Sequence, residues 1–198
     1  MKNVCVFCGS SPGSRPEYTE TARNLGVSLV KFGIGLVYGG ANVGTMGTIA
    51  RSVLEAGGKV TGIIPRHLAE KEVAFTDLSD LRIVDSMHQR KALMEQMSDG
   101  FIALPGGLGT IEEFFEVWTW AQLNMHQKPC GLLNVCQYYD KLLEFLDHTV
   151  TQQFVENDHR RMIIVESEPI TLIERFRAYH PPVTDKTKWA LKMNINHK

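Results

Sequence analysis

The chain has 198 residues, of which 43% are hydrophobic and 22% charged, the size and balance of one globular domain with a single sizeable core. A formal net charge of -1 supplies no global field toward nucleic acid or an anionic membrane, so neither is expected as a partner. No apolar run approaches the ~20 residues that span a bilayer, and the opening MKNVCVFCGSS reaches glycine and polar residues too soon for a signal-peptide core, so a cytoplasmic location is expected.

Short apolar runs alternate with longer amphipathic ones. Strands are predicted at Asn3–Cys8, Gly35–Tyr38, Lys59–Ile64, Leu81–Val84, Phe101–Leu104, Gly131–Asn134 and Ile163–Val165. Helices are predicted between them at Pro16–Phe32, Met46–Ala56, Met87–Ser98, Ile111–Gln122, Tyr138–Glu156 and Ile170–Ala178. Near-continuous apolar strands alternating with helices imply an α/β fold: a Rossmann-like, doubly wound parallel sheet with helices on both faces, as a single domain over residues 1–180. Residues 181–198 begin with Pro181-Pro182 and turn polar and mildly basic; a loosely ordered terminus is expected there rather than an anion-binding arm.

Cys5 and Cys8 have CxxC spacing, which invites a redox or zinc reading. In a strand, positions i and i+3 point to opposite faces, so the pair is expected as two buried hydrophobes of a reducing compartment. The seven histidines include no HxxxH pair, and no metal site is expected.

In such sheets ligands bind beyond the carboxyl ends of the strands, and three glycine-rich turns fall there. The first, Cys8-Gly9-Ser10-Ser11-Pro12-Gly13-Ser14, offers serine hydroxyls, Ser10 among them, to an anion. The second, Tyr38 to Gly47, carries Gly39, Gly40, Gly44 and Gly47 with Thr45, and permits close approach of backbone to ligand. It lacks both the GxGxxG dinucleotide fingerprint and the Gly-Lys-Ser/Thr end of a P-loop, so a smaller anion suits it better than NAD.

The third turn, Leu104-Pro105-Gly106-Gly107-Leu108-Gly109-Thr110-Ile111-Glu112-Glu113, is the strongest local signal. Its amides can converge on a phosphate, Thr110 stands where a cap would, and the helix dipole adds positive charge. Glu112 and Glu113 then fall in the first helical turn, where acids commonly complement the dipole. Glu113, three residues past Thr110, shares its face and is singled out for a chemical task.

Before that strand, Asp85-Ser86-Met87-His88-Gln89-Arg90-Lys91 reads as a helix start carrying two cations in its first turn, where the dipole disfavours them. An anionic ligand would offset that repulsion. Arg90, flanked by Met87 and Met94, is a weaker candidate than Lys91 for a merely solvated basic face. His88 is left as a structural donor.

The stretches Gly39 to Gly47, Met87 to Lys91 and Pro105 to Glu113 strongly resemble the LOG (LONELY GUY) family, long described as possible lysine decarboxylases. The likeness runs from Val4 to about Val150 and includes Trp118 to Leu123 and Lys128 to Val135. It implies a Rossmann-like homodimer that hydrolyses the N-glycosidic bond of AMP or its N6-prenylated derivatives, without metal or organic cofactor. Its catalytic pair falls on Arg90 and Glu113. Its nucleotide contacts fall on Glu72, Arg90, Lys91, Gly107, Leu108, Gly109, Thr110, Ile111, Glu112, Glu113 and Thr119. With the glycine turns (Ser10, Gly40, Gly44, Thr45, Gly106) and Met87, these form the expected substrate site. The second loop departs from the family pattern at Ala41, where many members carry a third glycine, and at Thr45, where many carry leucine; both bear on the choice of base.

The implied chemistry matches the residues. Breaking a C1′–N bond builds positive charge on the ribose, which a carboxylate near C1′ stabilises while it orients or deprotonates water. Two other readings compete. A nucleotide-binding or sensing module without turnover would have no use for both Arg90 and Glu113. A pyridoxal-phosphate-dependent decarboxylase needs a Schiff-base lysine, and Lys91 alone lies near the site.

Overall fold

A computed structural model describes residues 1–70 and 74–182. Glu72 and the tail from residue 183 onward lie outside the described residues.

The chain forms one seven-stranded sheet, every neighbouring pair parallel, in the order β4-β3-β2-β1-β5-β6-β7. The strands are β1 Asn3–Phe7, β2 Gly35–Tyr38, β3 Val60–Pro65, β4 Asp80–Val84, β5 Phe101–Ala103, β6 Cys130–Leu133 and β7 Ile163–Glu166. The main helices are α1 Pro16–Lys31, α2 Gly44–Glu55, α4 Met87–Gln96, α5 Leu108–Gln122, α6 Asp140–Thr151 and α8 Pro169–Arg177; α3 Arg66–Leu68 and α7 Asn157–Arg160 are single turns.

Strand alternation divides the core in two. Val4, Val6, Leu36, Tyr38 and Ile102 face α1, α2 and α8 through Leu25, Leu29, Ile49, Val53, Leu172 and Phe176. Cys5, Phe7, Val37, Phe101 and Leu132 face α4, α5 and α6 through Met94, Phe114, Val117, Trp118 and Leu146. Each such side chain contributes ~1.5–3 kcal/mol by leaving water, and truncating one to alanine costs about 2–5 kcal/mol. Cys5 and Cys8 sit in opposite clusters, as the strand period requires, and all four cysteines are free thiols.

Strand order turns back at β1: β2, β3 and β4 extend one way, and the chain then crosses by α4 to place β5 on the other side. Loops leaving β1 and β5 therefore diverge and leave a crevice at their carboxyl ends, the usual ligand site of an open parallel sheet.

Most element bounds shift by one or two residues from expectation, and three of the differences have a consequence or a clear cause. Helix α5 starts at Leu108, with Gly107 as its N-cap; Thr110 is therefore not the cap, and Glu112 and Glu113 fall in the second turn. Helix α2 likewise begins two residues early, at Gly44. Helix α6 ends at Thr151 instead of continuing to Glu156, because Gln153 adopts φ 62°, its amide donates to Val150 and that of Phe154 to Thr149. That is a Schellman stop with glutamine where glycine is usual.

Candidate active site

The start of α4 is set by its own side chains. Ser86 caps the helix by accepting from the Gln89 amide at 3.2 Å, and Gln89 Oε1 accepts from the Asp85 amide at 2.8 Å, a near relative of the capping box. This puts Arg90 one turn into α4, aimed back over the sheet. Its Nε donates to the Ile63 carbonyl at 3.1 Å and its Nη2 to the Gly39 carbonyl at 3.5 Å. Gly39 makes this possible: a Cβ there would lie 2.0 Å from Arg90 Nη2.

From the facing helix, Glu113 Oε1 meets Arg90 Nη1 at 3.1 Å, and both side chains are nearly covered, at 10% and 11% exposure. Burial raises the Glu113 carboxyl above its ordinary range; Arg90 pulls it down, and Glu112 pushes it up again. The result is a buried carboxyl that holds its proton more tightly than usual, kept at a fixed place by a cation.

The pair lines a cleft of about 280 Å³ together with Cys8, Gly9, Ser10, Met46, Met87 and the α5 start from Gly107 to Thr110 with Glu112. Gly107 carries no capping oxygen, and among the described residues no side-chain cap satisfies the first amides of α5, which are suited to an anion. Added Cβ atoms at Gly107 and Gly109 would meet nothing within 4 Å, so a ligand has open approach to this turn. Gly106 has the opposite role: its Cβ would lie 2.2 Å from Thr110 Oγ1, and its absence lets Thr110 pack beneath the turn, buried.

The 39–47 loop supports the cleft more than it lines it. Only Met46 of this loop reaches the cleft. Gly40 packs on Ile63 and Ile64, and Gly44, at φ 55°, backs onto Ser10 and Ser11. Buried Thr45 donates to the Gly9 carbonyl at 3.0 Å and so ties the β1 loop to α2. Lys91 is not part of the cleft lining: its Nζ lies 2.6 Å from Glu112, at the edge of the cleft, and 3.0 Å from Glu116. Glu112 thus serves an ion pair where a helix-dipole role was expected. Ile111 and Thr119 lie partly buried on α5, outside the cleft lining. Among the described residues, no three His, Cys, Asp or Glu side chains gather as a metal site requires, and no helix is long and apolar enough to cross a membrane.

Comparison with known proteins adds the family. A profile described as "Possible lysine decarboxylase" matches residues 46–176. A probable cytokinin riboside 5′-monophosphate phosphoribohydrolase of Oryza sativa subsp. japonica, LOGL5, is 50% identical over 193 residues, covering 98% of this chain and 78% of that one. The cytokinin riboside 5′-monophosphate phosphoribohydrolase LOG7 of Arabidopsis thaliana is 46% identical over 192 residues, covering 96% and 88%. The chain belongs to the LOG family. Two solved structures share the LOG-family fold at low identity: the molybdenum cofactor binding protein of Rippkaea orientalis (TM-score 0.66, 24% identity, covering 90% of this chain and 97% of that one) and the molybdenum cofactor carrier protein of Chlamydomonas reinhardtii (0.65, 18%, 90% and 99%).

Within this LOG-family site, sequence reading brought together Arg90, Glu113, Met87, Ser10 and the 107–110 turn, and the structure groups them in one cleft. It missed Cys8, Gly9 and Met46 as lining, Glu116 as the inner partner of Lys91, and the carbonyls of Gly39 and Ile63 that hold Arg90. Carbonyl contacts leave no mark on residue identity. Gly39 does leave one, since it must be a glycine.

Proposed function

We propose that the chain hydrolyses the N-glycosidic bond of a nucleoside 5′-monophosphate, AMP or its N6-prenylated derivative, to free base and ribose 5-phosphate. The observation that carries this reading is the buried Arg90–Glu113 pair beside the uncapped start of α5. The 5′-phosphate is assigned to the α5 amides, which places the ribose over Glu113. Ionised Glu113 opposes the positive charge that grows on the sugar as C1′–N breaks, and its raised proton affinity suits it to accept a proton from the attacking water. Arg90 keeps the carboxylate oriented and offsets charge on the bound nucleotide. Ser10, Gly40, Gly44, Thr45, Glu72, Lys91, Ile111, Glu112 and Thr119 remain the further assigned contacts or supports.

A decarboxylase acting through a Lys91 Schiff base is disfavoured. Burial lowers the affinity of that amine for its proton, but the bonds to Glu112 and Glu116 outweigh it and hold the group above its ordinary value. A Schiff-base lysine needs the reverse.

The names of the relatives support the substrate class, and the retained pair supports turnover over mere sensing. Incubation with AMP and with N6-prenylated AMP, followed by reducing-sugar and free-base assays, tests it; absence of both products would overturn it.

We also assign a C2 homodimer through α4 and α5, where Met87, Leu108, Leu123 and Met125 stay exposed on or beside helices whose Leu93, Met97, Phe115 and Trp120 are only partly covered. Sedimentation at micromolar concentration should show twice the chain mass of 22.3 kDa; a monomer would refute it. The four free thiols support a reducing, cytosolic location.

A further inference from the structure

Two adjacent tyrosines of the loop between β6 and α6 reach across to the turn that starts α5. Buried Tyr139 donates from its hydroxyl to the Leu104 carbonyl at 2.6 Å, and Tyr138, 42% exposed, donates to the Gly106 carbonyl at 2.6 Å. The loop is pinned behind them: Asn134 Oδ1 accepts from the Tyr139 amide at 2.8 Å, and its Nδ2 donates to Asp140 at 2.7 Å. To bring the pair over the turn, Cys136 and Gln137 take φ 51° and 61°, two consecutive side-chain-bearing residues in a region that disfavours them. Strain of this kind persists only where the surrounding structure over-determines it, and it gathers at ligand sites. Core packing accounts for Tyr139 but not for the half-open Tyr138.

What Tyr138 holds is the softest peptide of the turn. It joins Gly106 to Gly107, and a flip of that peptide changes only ψ of one glycine and φ of the next, angles that glycine accepts over a wide range. In a trans peptide the carbonyl and the following amide point opposite ways. The Tyr138 hydroxyl therefore fixes the Gly106 carbonyl on its own side and turns the Gly107 amide to the other. Gly107 is the N-cap of α5 and lines the Arg90–Glu113 cleft. The Leu104 carbonyl differs: its peptide ends in Pro105, which has no amide to orient.

We infer that the Tyr138 hydroxyl is a positioning group for the phosphate. By holding the Gly106–Gly107 peptide it adds the Gly107 amide to the first amides of α5 as a donor to the anion. The inference rests on the assignment of the 5′-phosphate to that helix start. Tyr139 stabilises the same turn but orients no donor.

Calorimetric titration with ribose 5-phosphate reads the anion site without turnover. Tyr138→Phe keeps the ring and removes the hydroxyl. Loss of that one hydrogen bond frees the peptide to flip, and ribose 5-phosphate should bind about three- to tenfold more weakly. KM for AMP should rise by the same factor with kcat within about twofold, as when binding common to ground and transition states is lost. Tyr139→Phe should lower the melting temperature yet leave the ribose 5-phosphate affinity within about twofold. Should it fail to fold, Tyr18→Phe serves as the control, since it strips a hydroxyl from the ring that packs edge-on against Tyr138 with centroids 5.7 Å apart. An unchanged affinity in Tyr138→Phe, an equal loss in the control, or a KM rise for AMP without weaker ribose 5-phosphate would overturn the assignment. Wild-type protein that does not bind ribose 5-phosphate would overturn it too. Wild-type protein that binds ribose 5-phosphate with this dependence on Tyr138 but leaves AMP intact would instead refute the catalytic reading alone.

Discussion

Gly39→Ala tests how Arg90 is held. The added methyl carbon would lie 2.0 Å from Arg90 Nη2 and 3.2 Å from Cζ, distances that cannot stand. Gly39 is not among the glycines at positive φ, so its backbone accepts alanine. What must move is the end of a flexible side chain, and the arginine yields before the sheet does. In yielding it loses the Gly39 carbonyl at 3.5 Å and shifts the Nη1 that meets Glu113 at 3.1 Å. A hydrogen bond to a charged group contributes about 1.5–3 kcal/mol, partly offset by the ~0.4–1 kcal/mol that alanine gains by stiffening the unfolded chain. Stability should therefore fall by about 0.5–2.6 kcal/mol. Turnover should fall much further, because a displaced electrostatic partner typically costs about 10²–10³ in rate. The assays are a thermal melt and kcat/KM on AMP, read together with Arg90→Ala and the double variant. Because both changes act through one guanidinium, the double variant should be no slower than Arg90→Ala alone. Near-wild-type turnover by Gly39→Ala, or losses that multiply in the double variant, would refute the reasoning.

Three further outcomes follow from the same site. Burial raises Glu113 above the ordinary carboxyl range, so the folded chain holds this proton more tightly than the unfolded chain does; its stabilising contribution is present in acid and lost as pH rises through the folded value. Glu113→Gln should thus gain stability relative to wild type with rising pH, seen in denaturant melts, while hydrolysis falls about 10²–10³-fold; a stability difference that is flat with pH counts against the buried carboxyl. AMP should be cleaved far faster than adenosine, since the α5 amides act on phosphate, and equal kcat/KM would remove that assignment. Gly44→Ala combines φ 55° with a Cβ 2.4 to 2.6 Å from backbone atoms of Ser10 and Ser11; with no flexible atom to give way, it should cost more than ~2 kcal/mol, and a loss below half that would show the loop to be softer than drawn.

Much of this could be read locally. Strand period alone assigned Cys5 and Cys8 to opposite faces, and the bounds of β2 follow from four residues between glycine turns. Helix ends were less legible where the stop uses an unusual residue. Gln153 carries no glycine signal, so the Tyr138–Glu156 pattern reads as one helix although it ends at Thr151. The start of α5 was hidden by its own glycines, which read as turn while Leu108, Gly109 and Thr110 are already helical. That shift of three residues moved Glu112 and Glu113 out of the dipole's reach and into ion pairs.

The sequence by itself determined the fold class, the strand and helix order, and the identity of the charged residues at the strand ends, because periodicity and turn chemistry are properties of neighbours along the chain. Tertiary structure alone decided their partners. Lys91 is claimed by Glu112 and Glu116, and Arg90 by Glu113, Ile63 and Gly39. These pairings join residues that stand far apart in the chain and meet only because the strand order reverses at β1 and brings β5 alongside it. Ion pairing and close approach depend on distances of a few ångströms across that crevice, and no local pattern encodes them.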